Sequence, residues 1–353
     1  MIIELLDQNL QTRETLDAFN SFIWTDRYYK CGDFEITLIP DSKVLERFKL
    51  GYYIWQSESK RLMIIEGVDI TTNAENGDTV TIKGRSIESL LDRRIVWDQT
   101  IIDSDVQYGV EKILNENVIA PSDSRRTMPR IVFKYNPSLP QMHIRAQFTG
   151  DSVYEVMTSI CEACELGFKM ELNNLDQFEF SLYAGADRSF NQDTNDYVIF
   201  SPDFDNLISS DFKCNKSNYK TTALVAGEGE GSERRKIECV LEEVTGFDRR
   251  ELFVDARDLS SNPDSETPIS DEEYFAQLEE RGIEKLAEHQ IDVAFDGELA
   301  NEVGFVYNRD FFMGDIVQIE NEYGFSKVSR VIELITSVDD TGFKQYPTFT
   351  AEY

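Results

Sequence analysis

Thr79-Val80-Thr81-Ile82-Lys83-Gly84-Arg85-Ser86-Ile87-Glu88-Ser89-Leu90-Leu91-Asp92-Arg93-Arg94 is the stretch that indicates the fold of the N-terminal quarter of this chain. Its first residues alternate as they do in a β-strand. Its second half places Ile87, Leu90 and Leu91 on one face of a short helix. The stretch therefore predicts a strand, a turn and a helical turn, with these three side chains facing inward. Nothing in it resembles a catalytic constellation.

The segments before this stretch carry the same β pattern. Phe34–Ile39 alternates at period two and ends at Pro40, and Leu62–Ile70 continues as a strand toward Asn76-Gly77. Asn-Gly is a strong hairpin signal because both residues tolerate positive φ. We therefore predict an antiparallel β-barrel-like domain over residues 1–98 that ends in the helical turn.

The length of 353 residues predicts two or three domains, since most domains contain about 50–250 residues. A hydrophobic content of 41% with 12% aromatic residues is enough to build their cores. The sequence contains no apolar run of about 18 residues, and its first residues lack the basic and apolar segments of an export signal. We expect a folded chain without a membrane span or an export signal.

The charge balance disfavours tight binding to nucleic acid or to an anionic membrane. The chain has 66 acidic and 35 basic side chains, a net charge of −31, whereas such binding needs clustered Lys and Arg. The acid either keeps a large protein soluble or keeps one surface from adhering to a polyanion. Residues 226–298 hold 22 acidic and 8 basic side chains, a net charge of −14. We expect this segment to face solvent or a polar lumen.

An odd number of cysteines argues against a fully paired disulfide framework and favours a reducing compartment. The five are Cys31, Cys161, Cys164, Cys214 and Cys239. The C-x-x-C spacing of Cys161 and Cys164 suits redox chemistry or half of a zinc site. Both fall in the last turns of a predicted helix, where the dipole disfavours a thiolate, and no second pair completes a zinc site. We interpret them as helix-packing residues.

Residues 99–205 predict an α+β insertion with two helices and a small sheet. Asp105–Asn117 carries apolar residues on one helical face. A second helix begins at the capping box Ser152–Glu155, and Gly167 is placed to end it. Two short strands then form a hairpin: Phe168–Leu172 and Gln177–Leu182.

Residues 206–353 predict a second β-barrel-like domain, interrupted by one helix at about residues 270–289. Ser270 and Glu273 form the capping box of that helix. Its buried stripe contains four residues: Phe275, Leu278, Ile283 and Leu286. The clearest strands of this part are Thr222–Ala226, Lys236–Val240, Asp315–Ile319 and Val328–Ile335.

The first and last parts of the chain share a spacing pattern. Gly51 and Gly314 each precede a strand, a long strand follows, and a turn containing Gly77 or Gly342 ends it. The glycines lie 26 residues apart in the first part and 28 in the last. The pattern predicts two related β domains separated by the insertion; a chance match between two β meanders is the alternative.

No residue is assigned as catalytic, cofactor-binding or metal-binding. His143 and His289 are the two histidines, and the sequence contains neither H-E-x-x-H nor G-x-S-x-G. We interpret both histidines as structural. A glycosidase needs only two carboxylates at a set separation, so 66 acidic residues leave that class of enzyme open.

Three polar segments contain residue types that can bind ligands. Gly227–Gly231 alternates glycine with glutamate, which repels phosphate, so we interpret it as a flexible acidic loop. Asp103–Asp105 and Asp203–Asp205 offer oxygen ligands for calcium but lack the spaced pattern of a dedicated calcium loop. We interpret them as solvated surface acids.

Six stretches carry a resemblance to a known family: Phe19–Ile36, Met63–Val68, Gly84–Val96, Gly150–Ser152, Phe200–Leu207 and Arg309–Val317. Together they resemble the siphovirus tail-protein family of hub and tail-associated proteins, found at the tip of long-tailed phages. The resemblance spans nearly the whole chain. Its motifs are structural and include no active-site signature.

This resemblance implies a mainly β protein in which two hub-type β-barrel domains flank a smaller α+β domain. It implies a ring-shaped, trimeric baseplate hub, without enzymatic activity, whose six barrels form a pseudo-sixfold surface against the hexameric tail rings. A head-to-tail interface closes such a ring when the rotation fits. The alternative function is a tail-tip peptidoglycan-degrading enzyme or a carbohydrate-binding adhesin.

The same resemblance implies the partners and the location. The expected partners are further copies of this chain, a distal tail protein or tail tube protein, the tape measure protein, and receptor-binding or fibre proteins. DNA would pass through the lumen without tight binding, and we expect the acid of residues 226–298 to line that channel or its rim. The expected location is the virion tail, after synthesis in the cytoplasm of the bacterial host.

Overall fold

The computed structural model describes residues 2–73, 75, 77–262, 268–300 and 304–351. The N-terminal part comprises β1 (Ile3–Leu6), β2 (Thr12–Leu16), β3 (Ser21–Arg27), β4 (Asp33–Leu38), α1 (Val44–Arg47), β5 (Tyr53–Gln56), β6 (Leu62–Thr71) and β7 (Thr79–Ser86). The middle part comprises β8 (Thr100–Asp105), α2 (Val106–Leu114), β9 (Ile131–Phe133), β10 (His143–Phe148), α3 (Val153–Ala163), β11 (Gly167–Leu172) and β12 (Phe178–Tyr183). Within these ranges the chain is mainly β.

The C-terminal part has more strands and one long helix. It comprises β13 (Ile199–Phe200), β14 (Leu207–Asn215), β15 (Thr222–Ala226), β16 (Lys236–Val240), β17 (Glu251–Asp255), α4 (Asp271–Ala287), β18 (Asp292–Leu299), β19 (Ile316–Glu320), β20 (Ser326–Asp339) and β21 (Gly342–Ala351). Short 3-10 turns occupy 87–93, 124–126, 202–204, 231–233 and 246–248, and a π-helical turn follows α2 at 115–119. No helix in the described part of the chain is long and apolar enough to cross a membrane.

One thirteen-stranded sheet runs through both outer parts of the chain. Its order is β14-β18-β21-β20-β3-β4-β7-β6-β5-β1-β2, with β19 paired to β20 and β13 to β19. The two predicted β-barrel-like domains are not found as closed barrels, because none of the pairings among the described strands closes this path. The physical reason is that β3 pairs with β4 on one side and, on the other side, with β20 of the other outer part, so no second strand of its own part covers that edge.

Two five-strand units with the same connectivity make up most of this sheet. In the first unit the order is β3-β4-β7-β6-β5, and in the second it is β14-β18-β21-β20-β19. Each unit packs its own apolar core: Phe22, Trp24, Phe34 and Ile36 belong to the first. The second core is rich in phenylalanine: Phe200, Phe295, Phe311 and Phe349. The strand and glycine pattern seen in the sequence lies on matching strands of these units.

The middle part forms a separate α+β lobe between the two units. Helices α2 and α3 pack over the sheet β11-β12-β9 and the pair β10-β8, around a core that includes Val110, Met157 and Phe180. The two helices and the hairpin predicted here are confirmed. Strand β9 was missed because its three residues lie in a segment with several prolines and pair in parallel with a distant strand, β12.

A second lobe is inserted between β14 and β18. Strands β16-β15-β17 form its sheet, and α4 covers that sheet through Tyr274, Leu278 and Leu286. The predicted cap is confirmed, since the Ser270 hydroxyl accepts a hydrogen bond from the Glu273 amide at 3.2 Å. The predicted burial of Ile283 is wrong. Its side chain is half exposed and lines a groove of about 570 Å³ between α4, β10 and α3.

The predicted start and end of α3 need correction. Ser152 precedes the helix, but its hydroxyl donates to Asp92 Oδ1 at 3.0 Å and caps no helix amide. This bond ties α3 to the 3-10 turn Ile87–Arg93, whose Ile87, Leu90 and Leu91 are buried as predicted. Gly167 begins β11 and does not end the helix. A Cβ there would lie 2.5 Å from the ring of Tyr28.

The two predicted hairpins of the outer parts are confirmed by strand register. Thr71 on β6 lies opposite Thr79 on β7, and β19-β20-β21 form consecutive antiparallel pairs. Asn76 of the predicted Asn-Gly turn lies outside the described residues. Gly77 has φ of 83° and Gly342 has φ of 114°, which explains why glycine stands at both turns.

Candidate functional site

The two five-strand units meet where β3 pairs with β20. The pairs run antiparallel from Phe22 opposite Val338 to Arg27 opposite Glu333. Trp24, in the middle of β3, is 1% exposed and donates a hydrogen bond to Asp26 Oδ1 at 3.3 Å. This strand pair is called the internal junction below, because it joins the two units within one chain.

Charged groups stabilise one end of the internal junction. Arg27 Nε donates to Glu333 Oε2 at 2.5 Å, and Arg27 also pairs with Asp33 on β4. The Arg27 and Glu333 side chains are about one quarter exposed, so solvent screens this pair only in part. The ion pair therefore links the two units through residues that lie 306 positions apart in the chain.

Tyr28 fixes the middle lobe to the internal junction. Its amide donates to the Ile332 carbonyl at 2.9 Å, and its hydroxyl donates to the Glu165 carbonyl at 3.0 Å. The ring is fully buried, and a Cβ added at Gly314 would overlap it. Arg330 lies over the ring and donates to Glu165 Oε2 at 2.7 Å. Tyr28, which follows β3 of the first unit, thus contacts both the second unit and the middle lobe.

A polar cavity of about 860 Å³ opens beside Tyr28, where these three parts meet. Arg61 is 7% exposed and donates to the Tyr183 hydroxyl and to the Arg27 carbonyl, each at 3.3 Å. Its Nε lies 3.8 Å from Asp26 Oδ1. Burial raises the pKa of Asp26, although Arg61 and the Trp24 hydrogen bond lower it. Burial also raises the pKa of Tyr183.

A second buried carboxylate of this cavity is fully hydrogen-bonded. Asp315 is 2% exposed and accepts from the Ala186 amide at 2.7 Å, the Phe312 amide at 2.9 Å and Arg188 Nε at 2.7 Å. Three such donors hold the carboxylate in one orientation. The arrangement fixes the 184–188 segment to the second unit, which is a structural role.

The hydrogen bonds at the start of each unit's long strand match atom for atom. Gly51 N donates to Ile65 O and Ile65 N to Tyr52 O, both at 2.8 Å. In the second unit Gly314, Val331 and Asp315 make the same two bonds at 2.9 Å. A β-bulge follows in both: between Ile65 and Gly67 on β6, and between Val331 and Glu333 on β20. These bonds fix which residues of the two units are equivalent.

Two strand edges outside the internal junction are uncovered. All residues of β14 except Leu207 are exposed, and β18 is the one described strand that pairs with it. Residues Gly67–Thr71 of β6 pair with β7 on one side, and no described strand lies on the other. Ile70 is 42% exposed and Phe212 is 39% exposed. Uncovered edges of this kind are places where a further strand can add.

Cys161, Cys164 and the two histidines lie outside the internal junction. Cys161 is buried in the middle-lobe core, and burial raises the pKa of its thiol and that of Cys164, the latter to about 11. These shifts oppose thiolate chemistry at neutral pH. His143 is exposed and lies 3.0 Å from Asp103 Oδ1, and His289 follows the end of α4. In the described ranges no three His, Cys, Asp or Glu residues cluster as metal ligands.

The three polar segments make hydrogen bonds or short turns within the chain. Asp105 caps α2 by accepting from the Gln107 amide at 3.0 Å, and Asp203 lies in a one-turn 3-10 helix. In the Gly227–Gly231 loop, Glu228 accepts hydrogen bonds from the Ser261 amide at 3.0 Å and from the Ser261 hydroxyl at 2.6 Å. The described residues of the acidic 226–298 segment form most of the second inserted lobe and β18.

Sequence reasoning missed the residues that join the units. Tyr28, Arg61 and Glu333 have partners far away in the chain, and no local pattern signals such contacts. Tyr28 lies within a stretch that the family resemblance included, but nothing in that stretch singled it out. For the uncovered edges the sequence offered one signal. Ile70 and Phe212 are apolar residues that alternate with polar residues along their strands, and both are partly exposed.

Residues 2–349 match the family model described as siphovirus ReqiPepy6 Gp37-like protein. None of the curated proteins matches the chain. The match covers both outer parts of the chain and both inserted lobes, so the family assignment applies to nearly the whole chain.

Solved structures of tail proteins share this fold. The prophage tail protein gp18 of Listeria monocytogenes EGD-e is 12% identical, with 100% of this chain and 95% of that chain covered and a TM-score of 0.56. The tail protein of Neisseria meningitidis MC58 is 12% identical, with 99% and 96% covered and a TM-score of 0.55. The 43 kDa tail protein of prophage MuSo2 from Shewanella oneidensis is 11% identical, with 99% and 98% covered and a TM-score of 0.57. At these identities the likeness concerns the fold.

Proposed function

The chain belongs to the siphovirus ReqiPepy6 Gp37-like family of phage tail proteins, and we propose that it is a structural hub of the tail tip that forms a trimeric ring. In this proposal the ring joins the hexameric tail tube to the host-binding tip. The observation that carries it is the presence, in one chain, of two five-strand units with the same strand order and matching hydrogen bonds at their bulges.

Two equivalent units per chain give three chains six equivalent units. Such a ring presents a pseudo-sixfold face to a hexameric partner while the chains obey threefold symmetry. The internal junction supports this reading, because it already joins two units edge to edge. In the same proposal each unit is the framework of one domain, and the α+β lobe of the middle part separates the two.

The proposed partners follow from this position in the tail. A distal tail protein or tail tube protein would bind one face of the ring, and receptor-binding or fibre proteins the other. The tape measure protein and DNA would occupy or pass the lumen, with the acidic 226–298 segment at its wall or rim. The protein would reside in the virion tail after synthesis in the host cytoplasm.

We further propose that the protein is not an enzyme. The two buried carboxylates of the polar cavity have partners from within the chain: Asp315 accepts three hydrogen bonds and Asp26 lies near Arg61. Carboxylate oxygens that already accept hydrogen bonds from within the chain, as both do here, are less available to a substrate. Incubation of the purified protein with peptidoglycan and soluble glycans tests this; measurable release of fragments that Asp26→Asn abolishes would contradict it.

The ring is tested by measuring the mass of the purified protein in solution and imaging it by electron microscopy. We expect particles of three chains with a central opening at high protein concentration. A protein that remains monomeric both alone and in assembling tails contradicts the proposal. Particles made of two or four chains contradict the trimer and leave the tail assignment in place.

The lumen assignment has a separate test in phage particles. The triple change Glu243→Lys, Glu272→Lys and Glu279→Lys reverses exposed charges of the acidic segment. We expect slower DNA ejection, because cations on a channel wall attract a polyanion. The matched control replaces the same residues with glutamine. Unchanged ejection from intact particles carrying the lysine variant contradicts a lumen position.

A further inference from the structure

We propose that the ring closes by strand addition, in which β14 of one copy pairs antiparallel with residues 67–72 of a second copy. This inference rests on the proposed ring for the identity of the partner, a second copy of this chain. It goes further by assigning the two faces that meet and their register. Val68 would lie opposite Cys214, Asp69 opposite Lys213, and Ile70 opposite Phe212.

The internal junction supplies the template for this pairing. On β20, residues up to Arg330 pair with β19, and residues from Glu333 onward pair with β3. On β6, residues up to Ile64 pair with β5, and Gly67–Thr71 have β7 as their one described partner. The first unit therefore repeats the arrangement of the second, with the place taken by β3 left open.

The bulges align β6 with β20. Ile65 and Val331 make the same two backbone hydrogen bonds with the glycine segment that precedes each strand. Both bulges then skip one residue before pairing resumes. Gly67 consequently takes the position of Glu333.

The neighbouring strands align β14 with β3. Phe34 and Phe295 hold equivalent places, since each pairs with the strand residue that lies opposite the bulge position. Trp24 lies opposite Phe34, and Phe212 lies opposite Phe295. Phe212 therefore takes the position of Trp24 at the uncovered edge of the second unit.

Combining the two alignments gives the register between copies. Trp24 pairs with Thr336, three residues after Glu333. The residue three positions after Gly67 is Ile70, so Ile70 pairs with Phe212. The remaining pairs follow from antiparallel geometry, which is set by the internal junction.

The chemistry of the two edges fits this register. Ile70 and Phe212 are both large, apolar and partly exposed, and the Phe212 ring rests 4.5 Å from that of Phe325. Asp69 and Lys213 have opposite charges. Asp69 already pairs with Lys83 on β7, and Lys213 with Asp296 on β18. The charges would therefore alternate in sign across four adjacent strands, which favours cross-strand pairing.

A single substitution tests the register, because Cys214 is a native, exposed cysteine without a disulfide partner in the described part of the chain. Directly opposed residues of antiparallel strands have Cα atoms about 4.5–5.5 Å apart, within the range of a disulfide. In Val68→Cys protein, mild oxidation is expected to convert the single-chain band on a non-reducing gel into two-chain and three-chain bands. Reduction is expected to restore the single chain.

Two controls define the specificity of this crosslink. Cys214→Ser added to Val68→Cys is expected to remove the multi-chain bands. Thr71→Cys places a thiol on the same edge, three positions from the proposed partner of Cys214, and is expected to leave the single-chain band. Since Val68 packs partly against the first core, the exposed pair Ile70→Cys with Phe212→Cys, in a Cys214→Ser background, repeats the test without that residue.

The outcomes separate this inference from the proposed function. Trimers seen by mass and microscopy without either crosslink overturn the register and leave the ring in place. Crosslinked chains that grow beyond three copies support the strand pairing and contradict a closed trimer. Equal crosslinking of Val68→Cys and Thr71→Cys overturns the register. Protein that is monomeric at every concentration and never crosslinks contradicts both.

Discussion

Strands β3 and β14 begin two units with the same strand order, yet their surroundings differ. Trp24 on β3 is 1% exposed and has β20 beside it, whereas Phe212, at the equivalent position of β14, is 39% exposed. The two strands have the same kind of neighbour on one side, β4 or β18. The difference comes from the second neighbour, which β3 has within its own chain and β14 lacks. The partly exposed Phe212 is therefore explained if a strand of another copy covers β14.

Replacing the two equivalent aromatic residues gives the largest expected contrast. Trp24→Ala should lower the free energy of unfolding by about 3–5 kcal/mol, because it empties a fully packed site. Phe212→Ala should cost less than about 1.5 kcal/mol in the single chain, where it loses mainly one aromatic contact. Denaturant unfolding at low protein concentration measures both. Equal losses would show that β14 is already covered within the chain and would remove the basis of the comparison.

The glycines that begin the long strands are a second equivalent pair. Gly314 and Gly51 both have positive φ, 90° and 83°. A Cβ at 314 overlaps the buried Tyr28 ring, whereas one at 51 meets the mobile end of Gln8 at 3.1 Å. Gly314→Ala should therefore cost about 3 kcal/mol, from overpacking and backbone strain together, and Gly51→Ala about 1–2 kcal/mol.

Urea unfolding of the two alanine variants checks this prediction. The comparison shows whether the Tyr28 ring makes the second unit less tolerant of a Cβ than the first unit at the equivalent glycine. A Gly51→Ala loss as large as that of Gly314→Ala would mean that backbone strain alone decides the cost, and that Tyr28 adds nothing.

Local signals account for what the sequence predicts well. The Ser270 cap, the alternation of Phe34–Ile39 and the glycines at 77 and 342 each act within a few residues, so the elements near them are confirmed. The internal junction is different, because it joins Arg27 to Glu333, which no local pattern relates. That long-range pairing also continues the sheet from one unit into the other, so no closed barrel is found among the described strands.

The candidate site was harder to predict than the fold. Burial of Arg61 and Asp26 depends on three parts of the chain meeting at one cavity, and an Arg or Asp in sequence is expected at the surface. Ile283 shows the reverse error, because its helical spacing predicts burial but the side chain is half exposed. The face of α4 that packs on the sheet of its own lobe carries Tyr274, Leu278 and Leu286, and Ile283 lines the neighbouring groove. Spacing predicts a face and not what covers it.

The position of Asp26 extends the comparison to pH. Cys214 is its equivalent on the exposed edge, whereas burial at the internal junction raises the pKa of Asp26 above its usual value. The native state then binds a proton more tightly than the unfolded state, so stability is lost as pH rises from about 4 through the folded pKa. Each unit of the shift corresponds to about 1.4 kcal/mol. Asp26→Asn should remove this loss while keeping an acceptor for Trp24.

The measurement is the difference in unfolding free energy between the wild-type protein and Asp26→Asn, followed by urea denaturation from pH 4 to pH 8. The charged groups that face Asp26 are Arg61 and Glu88, and both remain in the variant. We expect the wild-type protein to lose stability relative to the variant across this range. A difference that stays constant with pH would mean that Arg61 compensates the burial of Asp26 fully.

The smallest contrast concerns ion pairs at the covered and uncovered edges. Arg27 and Glu333 are about one quarter exposed at the internal junction, whereas Lys83 and Asp69 are more than half exposed on the open edge. Glu333→Gln should lower the unfolding free energy by about 1 kcal/mol, since a partly buried pair loses one charge.

On the open edge, Asp69→Asn should leave single-chain stability unchanged within error. It should instead weaken ring formation, because residue 69 then no longer attracts Lys213 of the adjacent copy. Unfolding at low concentration and mass measurement at high concentration separate the two effects. If Asp69→Asn leaves assembly as strong as before at low salt, the charge alternation across the edges contributes nothing and the apolar pair alone must hold the register.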